Sequence, residues 1–333
     1  MNSTSLAQTS NFLVYGALIV LALAMVAFAV DLGVGSGRRR AAEAGVRREQ
    51  RARASSGRAP GGVDVVERST ADDVVDERWA RVGVSLSSLA FLLLVGAVLT
   101  RGISAGRPPW GNMYEFSVAG ATAAIGVWLL LTRRRSEMRE LGLLVVVTVL
   151  LILGVAVVVL YTESAQLVPA LKSYWLWIHV TAAIIASGIF TVGSVASALF
   201  LVADRYERRQ VSGEAGGRLA LLDTLAQRLP PSDVLDRTAY QTIAFAFPLW
   251  FFAIVAGAIW AEGAWGRYWG WDPKETWAFI TLVIYAAYLH ARATAGWRGR
   301  PAAIIALVGF GAFLFSYIGV NIFFFGLHSY GGV

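Results

Sequence analysis

Apolar residues run along this chain in long blocks separated by short charged ones. Eight blocks are each long enough to cross a hydrocarbon layer of about 30 Å as a helix. They are 12–31, 82–100, 114–132, 141–161, 174–203, 238–261, 274–293 and 302–326. The pattern predicts an all-α integral membrane protein with about eight transmembrane helices. The fifth block exceeds what one crossing needs and is expected to tilt or protrude. No positive charge precedes the first block, whereas Arg38, Arg39 and Arg40 follow it, which favours an uncleaved first helix over a removed signal segment. Residues 1–32 are therefore read as the first transmembrane helix, 33–81 as a polar loop and 82–333 as the main membrane domain.

Composition sharpens this. Of the 333 residues 56% are hydrophobic and 15% charged, against roughly 45–50% and 25% in soluble domains, so composition speaks against a soluble globule. If the first helix runs inward, the inner segments 32–81, 133–140, 204–237 and 294–301, with Arg292, hold 24 of the 29 Lys and Arg residues. Arg101, Arg107, Lys172, Arg267 and Lys274 remain outside. Positive residues collect on the cytoplasmic side of membrane proteins, so both termini are expected to be extracytoplasmic, in a cell (plasma) membrane. The net charge of +7 is explained by this topology and gives no reason to expect a nucleic-acid partner. There is no cysteine, so any thiol chemistry belongs to a partner.

Two inner segments read as non-membranous. Residues 33–81, rich in Arg, Ala, Gly and acidic side chains, are expected to be a disordered cytoplasmic loop, either a tether or a docking tail. Residues 204–237 predict a short amphipathic helix bearing Leu219, Leu221, Leu222, Leu225 and Leu229 and ending at Pro230–Pro231, either on the inner membrane surface or as a linker.

The least ordinary segment is the outer connection 262–273 and its flanks. Trp260, Trp265, Tyr268, Trp269, Trp271 and Trp277 crowd into 260–277, with Gly266 and Gly270 between them. Indoles broken by glycines suit a flat, rigid, apolar ligand that must approach the backbone closely; the plainer alternative is an interfacial aromatic belt. A belt populates both interfaces, yet eight of the twelve tryptophans map near the outer one. Asp272-Pro273-Lys274-Glu275 carries the start signals of a helix: N-cap, Pro at the first position, and a reciprocal Glu. Arg267 and Lys274 are cations suited to the carboxylates of an amphipathic ligand, or to a neighbouring acid.

The chain has three histidines. His179 lies just inside the outer end of the fifth helix and His328 follows the eighth, so both bracket the tryptophan segment. Two neutral imidazoles on opposite faces of a planar macrocycle form a standard axial pair for iron. His290 stands 18 residues after Asp272, about 27 Å and five turns along a helix, near the inner surface. It is either a ligand at a loading position or a histidine reaching the cytoplasmic interface.

These residues resemble the CcsA/ResC-type cytochrome c biogenesis proteins, called CcsB in some bacteria, within the haem-handling superfamily that shares a WWD motif. The resemblance rests on Trp265 through Ala278 (WGRYWGWDPKETWA), on Tyr288-Leu289-His290-Ala291-Arg292, on Val320-Asn321 through Gly326-Leu327-His328-Ser329-Tyr330, and on Asn112-Met113-Tyr114-Glu115-Phe116. It covers the chain from about residue 82 onward. The sequence departs from the pattern at Ala261–Ala264, where an Asn-Glu pair is expected before Ala-Trp.

The resemblance implies haem b as the cofactor. It assigns haem iron to His179 and His328 outside and to His290 within the membrane. Trp265, Trp269, Trp271, Asp272 and Trp277 would contact haem, with no side chain acting as a catalytic acid or nucleophile. It implies system II cytochrome c biogenesis: haem export and presentation and, with a CcsB/ResB-like membrane subunit, covalent attachment of haem to the CxxCH segment of apocytochrome c, as a subunit of a holocytochrome c synthase. A thiol-reducing partner is also implied. With no fourth histidine, this chain would hold the external site complete and half of the membrane site. Two other readings remain open: a haem transporter or chaperone without ligase activity, and a multi-helix transporter of another apolar solute.

Overall fold

The computed structural model describes residues 3–55, 78–163, 172–212 and 220–328. In chain order the elements are α1 (Ser3–Ser55), α2 (Arg78–Ala105), α3 (Met113–Arg134), a 3-10 turn (Ser136–Leu141) leading into α4 (Gly142–Val158), α5 (Tyr174–Val211), α6 (Ala220–Ala226), α7 (Ser232–Trp265), α8 (Pro273–Thr294) and α9 (Arg300–Leu314). The last passes through a π-helical segment (Phe315–Gly319) into α10 (Val320–Phe323). No strand occurs among the described residues.

Local chemistry sets the helix starts. The Asn112 side chain accepts from the Glu115 amide at the start of α3, and Ser173 accepts from the Trp175 amide at the start of α5. Asp272 and Glu275 form a reciprocal capping box around Pro273 at the start of α8. Each cap satisfies an amide that the first helical turn leaves without a partner.

All eight expected crossings are helices. Seven are long and apolar enough to span a membrane: Thr4–Gly33, Arg78–Ala105, Met113–Arg134, Ser136–Val158, Tyr174–Val211, Ser232–Trp265 and Arg300–Phe323. Helix α8 has the length but is less apolar, because it opens on Pro273-Lys274-Glu275-Thr276 and carries Tyr285, Tyr288, His290 and Arg292. It packs between α7 and α9. The chain is an all-α, multi-pass integral membrane protein.

Several boundaries differ from the sequence expectation. The loop expected at 33–81 begins as a continuation of α1 to Ser55, because residues 38–54 consist mainly of Arg, Ala, Glu and Gln, all good helix formers; residues 56–77 lie outside the described residues. Helix α7 runs on to Trp265, so the aromatic connection shortens to 266–272, where Gly266 takes the left-handed conformation that ends the helix. The short helix expected within 204–237 is α6, whose Leu225 packs on the core, as does Leu229 just beyond it, while Leu222 is exposed. Leu219 and the Leu221 side chain lie outside the description.

Helix α5 is the hub. It packs along α7 and against α3 and α9, and small residues let it do so. A Cβ on Gly188 would meet the Ala124 amide nitrogen of α3 at 2.8 Å, and one on Gly193 would meet Ile243 of α7 at 2.9 Å. Close backbone approach at small residues is how helices associate where lipid offers no hydrophobic drive. Stacked rings then tie the hub to its neighbours: Phe190 of α5 lies parallel to Tyr285 of α8 at 4.0 Å, and the Trp250 indole of α7 donates to the Ala278 carbonyl of α8.

Ion pairs mark both ends of the bundle. Where α5 and α8 end, Arg292 grips Asp236 through two bonds of 2.7 and 2.8 Å, and Asp204 pairs with Arg208 and Arg300. Asp31 pairs with Arg228 in the same way. Where α3 and α8 begin, buried Glu115 receives both Arg101 and Arg107, and Glu275 receives Arg267. Asn11, early in α1, bonds Tyr161 after α4 and Tyr114 at the start of α3, so α1 begins at the same end as α3.

Candidate functional site

The site forms where the start of α5, the end of α7, the start of α8 and the chain after α10 converge. His179 lies in the second turn of α5. Its Nδ1 is 2.6 Å from the Ala253 carbonyl of α7, and because a carbonyl only accepts, Nδ1 carries the proton and Nε2 the lone pair. One turn beyond Ala253, Gly257 leaves room for the ring, since a Cβ there would stand 2.8 Å from it. The next turn brings Trp260, whose indole lies parallel to the imidazole with centroids 6.3 Å apart.

His328 approaches from the other side. Its ring sits edge-on to Trp260 at 5.9 Å and to Trp265 at 4.9 Å. Its Nδ1 donates to Asp272 Oδ1 at 2.8 Å, while the Leu327 amide donates to Oδ2 at 2.7 Å. Gly326 is required here because any Cβ would collide with the Asp272 carboxylate. Burial works against the charge on Asp272, but hydrogen bonds from His328 and from the Leu327 and Lys274 amides outweigh it and hold the group below the ordinary carboxyl value. The α8 capping residue thus also orients an imidazole and fixes its tautomer, the arrangement in which a ring nitrogen is left ready for a metal.

Both rings line one cavity, open at its mouth. Its remaining wall includes Trp110, Leu176, Trp250, Trp260, Trp269 and Phe313. The two imidazoles flank the same Trp260 ring, so they can be no farther apart than those two short spans laid end to end. Beside them Glu275 accepts from Arg267 and from the amides of Gly270 and Asp272, which folds 266–272 into a compact turn. The π-helical segment supplies Ser316 and Tyr317 to the same wall, and the Asn321 amide bonds the Tyr317 carbonyl. Local unwinding of this kind is common beside functional sites.

The structure brings part of the expected set together. His179, His328, Trp265, Trp269 and Asp272 come together, although Asp272 acts through His328 instead of facing the cavity. Trp271 and Trp277 are not brought to it. Trp271 adopts a left-handed backbone (φ 57°), is 66% exposed and meets Trp269 and Phe279 edge-on; Trp277 packs on Phe315 at 4.2 Å. His290 is exposed near the other end of α8. The count of whole turns from Asp272 does not give it the same surroundings, because Asp272 has a non-helical backbone and stands outside the winding. Trp260 and Gly257 went unassigned by sequence; their signal was spacing alone, Ala253, Gly257, Trp260 and Ala261 sharing one face of α7. Ala261, part of the departure at 261–264, lines the cavity, while Ser329 and Tyr330 lie outside the described residues.

Two imidazoles with committed Nδ1 atoms, set in an indole-walled cavity, offer nitrogen donors of the kind a metalloporphyrin takes. Comparison with known proteins bears on the same region. The family model described as cytochrome C assembly protein matches residues 110–328, which contain every side chain named at the site. Proteins named cytochrome c biogenesis protein CcsA are similar along most of the chain. That of Synechococcus elongatus is 40% identical over 288 residues, covering 75% of this chain and 86% of the relative. That of Gloeothece citriformis is 38% identical over 292 residues, with the same coverage, and that of a Synechocystis strain 36% over 311 residues, covering 78% and 90%. With the match spanning the helices that build the cavity, the chain belongs to the CcsA-type cytochrome c assembly protein family.

Proposed function

We propose that this protein acts in cytochrome c biogenesis by holding haem b at the cavity between His179 and His328 and presenting it for covalent attachment to apocytochrome c. The observation that carries this reading is the pair of imidazoles whose Nδ1 atoms are both tied down, one to a carbonyl and one to a carboxylate, on the wall of one apolar cavity. Haem is the substrate here, supplying two vinyl groups. His179 and His328 would hold its iron through Nε2, while Trp260, Trp265 and Trp269 cover its apolar area and keep water away. Thioether formation adds each cysteine S–H across a vinyl C=C: sulfur bonds one carbon, the proton goes to the other, and no net oxidant is consumed. This chain contributes positioning to that step.

The remaining assignments belong to the same proposal. The cavity faces the extracytoplasmic side of the plasma membrane, with both termini on that side, in keeping with 24 of 29 basic residues in the opposite segments. A CcsB/ResB-like subunit completes a second site around His290, and a thiol-reducing protein keeps the apocytochrome cysteines available, because this chain has none.

The test is the absorption spectrum of the purified chain beside His179→Ala and His328→Ala. Wild type is expected to carry low-spin, bis-imidazole haem. Each variant is expected to lose haem or become high-spin, with rescue by added imidazole. Spectra unchanged in both variants would overturn the ligand assignment. Coexpression with a ResB-like subunit and an apocytochrome, in a host lacking its own pathway, then reads covalent haem directly.

A further inference from the structure

The cavity wall is apolar except for a few side chains, and most of these are already engaged. Asn112 caps α3, Asn321 bonds the Tyr317 carbonyl, Tyr317 bonds Ser117, and Glu275 receives Arg267 and two amides. Two nitrogen donors differ. Lys274 faces the cavity, and its ammonium makes no hydrogen bond or ion pair among the described residues, while its backbone amide donates to Asp272. Trp110 also lines the cavity, and its indole Nε1 is buried without a partner.

Unmatched donors in an apolar enclosure are costly, and an ammonium more so than an indole. The nearby carboxylates accept a hydrogen bond from neither, although the charge on Asp272 attracts Lys274. Asp272 Oδ1 is taken by His328 and the Lys274 amide, Oδ2 by the Leu327 amide, and Glu275 is neutralised by Arg267. The wall therefore presents a cation and a neutral N–H with no protein acceptor, next to imidazoles suited to a metal. What satisfies both is an acceptor on the ligand, and for a cation that acceptor is anionic.

We propose that Lys274 and the Trp110 indole N–H receive the carboxylates of the bound ligand, so that the cavity selects a metalloporphyrin bearing free propionates over its neutral counterpart. This rests on the haem reading above and adds to it a determinant of ligand class. Lys274 is a binding residue through its ammonium alone, because its backbone amide supports Asp272 whatever the side chain.

The experiment titrates the purified full-length chain with iron protoporphyrin IX and, separately, with its dimethyl ester, reading Kd from the Soret band. Wild type is expected to prefer the free acid by about 10- to 100-fold, the usual worth of a hydrogen bond to a charged group. Lys274→Met should remove most of that preference while leaving ester binding within about twofold, and Lys274→Arg should restore it. Trp110→Phe should produce a smaller loss of the same kind, about fivefold. Equal binding of the two porphyrins by wild type, or equal weakening of both by Lys274→Met, would overturn this inference and leave the haem assignment standing. Failure of wild type to bind either porphyrin would sink the haem assignment and this inference with it.

Discussion

His328 and His290 stand near opposite ends of the same helix, α8, one against its N-cap and the other in its last turns, yet their surroundings have little in common. His328 has its Nδ1 fixed by Asp272, two indoles against its edges and a second imidazole across the same cavity. His290 is exposed, and among the described residues its ring bonds nothing. Its neighbours are committed elsewhere, Arg292 to Asp236 and Tyr288 to the buried core. The contrast teaches what a single chain completes and what it leaves open. A metal-binding imidazole requires a fixed tautomer and a fixed direction, and only one end of α8 supplies both.

The comparison can be broken most severely at Gly257. A Val there places atoms where the His179 ring must lie, so we expect Gly257→Val to abolish the low-spin haem spectrum as completely as His179→Ala, with normal protein levels in the membrane. The second test attacks the other end. Asp236→Ala leaves Arg292 without its bidentate partner and should cost about 3 kcal/mol of stability, read as a lower midpoint in thermal unfolding in detergent. The haem spectrum should not change below that midpoint. A smaller effect is expected from Asp272→Asn, which still accepts the Lys274 and Leu327 amides but presents a neutral group to His328; haem affinity should fall about 10-fold. The smallest is His290→Ala, for which the spectrum of the isolated chain should be unaltered, whereas haem attachment in the presence of the ResB-like subunit should fall. If His290→Ala removed the low-spin signal from the isolated chain, the division between the two ends would be wrong.

Much of the fold was legible because the bilayer imposes a simple rule: apolar runs of sufficient length must be helices. All eight blocks became helices, including α8, whose apolar middle outweighs its polar tips. Their ends were less legible, since α1 and α7 continue past the apolar region on helix propensity alone. At the site, His179, His328 and the capping role of Asp272 could be read from sequence, the first two by position near the outer end and the third by local chain chemistry. The second use of Asp272 could not, because the contact with His328 spans 56 positions and depends on how α8 and α10 meet. The placement of Trp271 and Trp277 away from the cavity was not legible for a similar reason. A cluster of indoles in sequence says nothing of which way each points, and the left-handed backbone at Trp271 turns its ring outward. Trp260 became central through the geometry of α7, where three turns in succession offer a carbonyl, a gap and a flat ring to the same imidazole.

Helix α8 carries one further consequence. Its first residue is preceded by the carboxylate that steers His328, and its last turn is clamped to α7 through Arg292 and Asp236. A rod anchored at both tips cannot slide or rotate without dragging what each tip holds. The same rod therefore joins the Arg292–Asp236 clamp at one tip to the carboxylate that orients the His328 ring at the other.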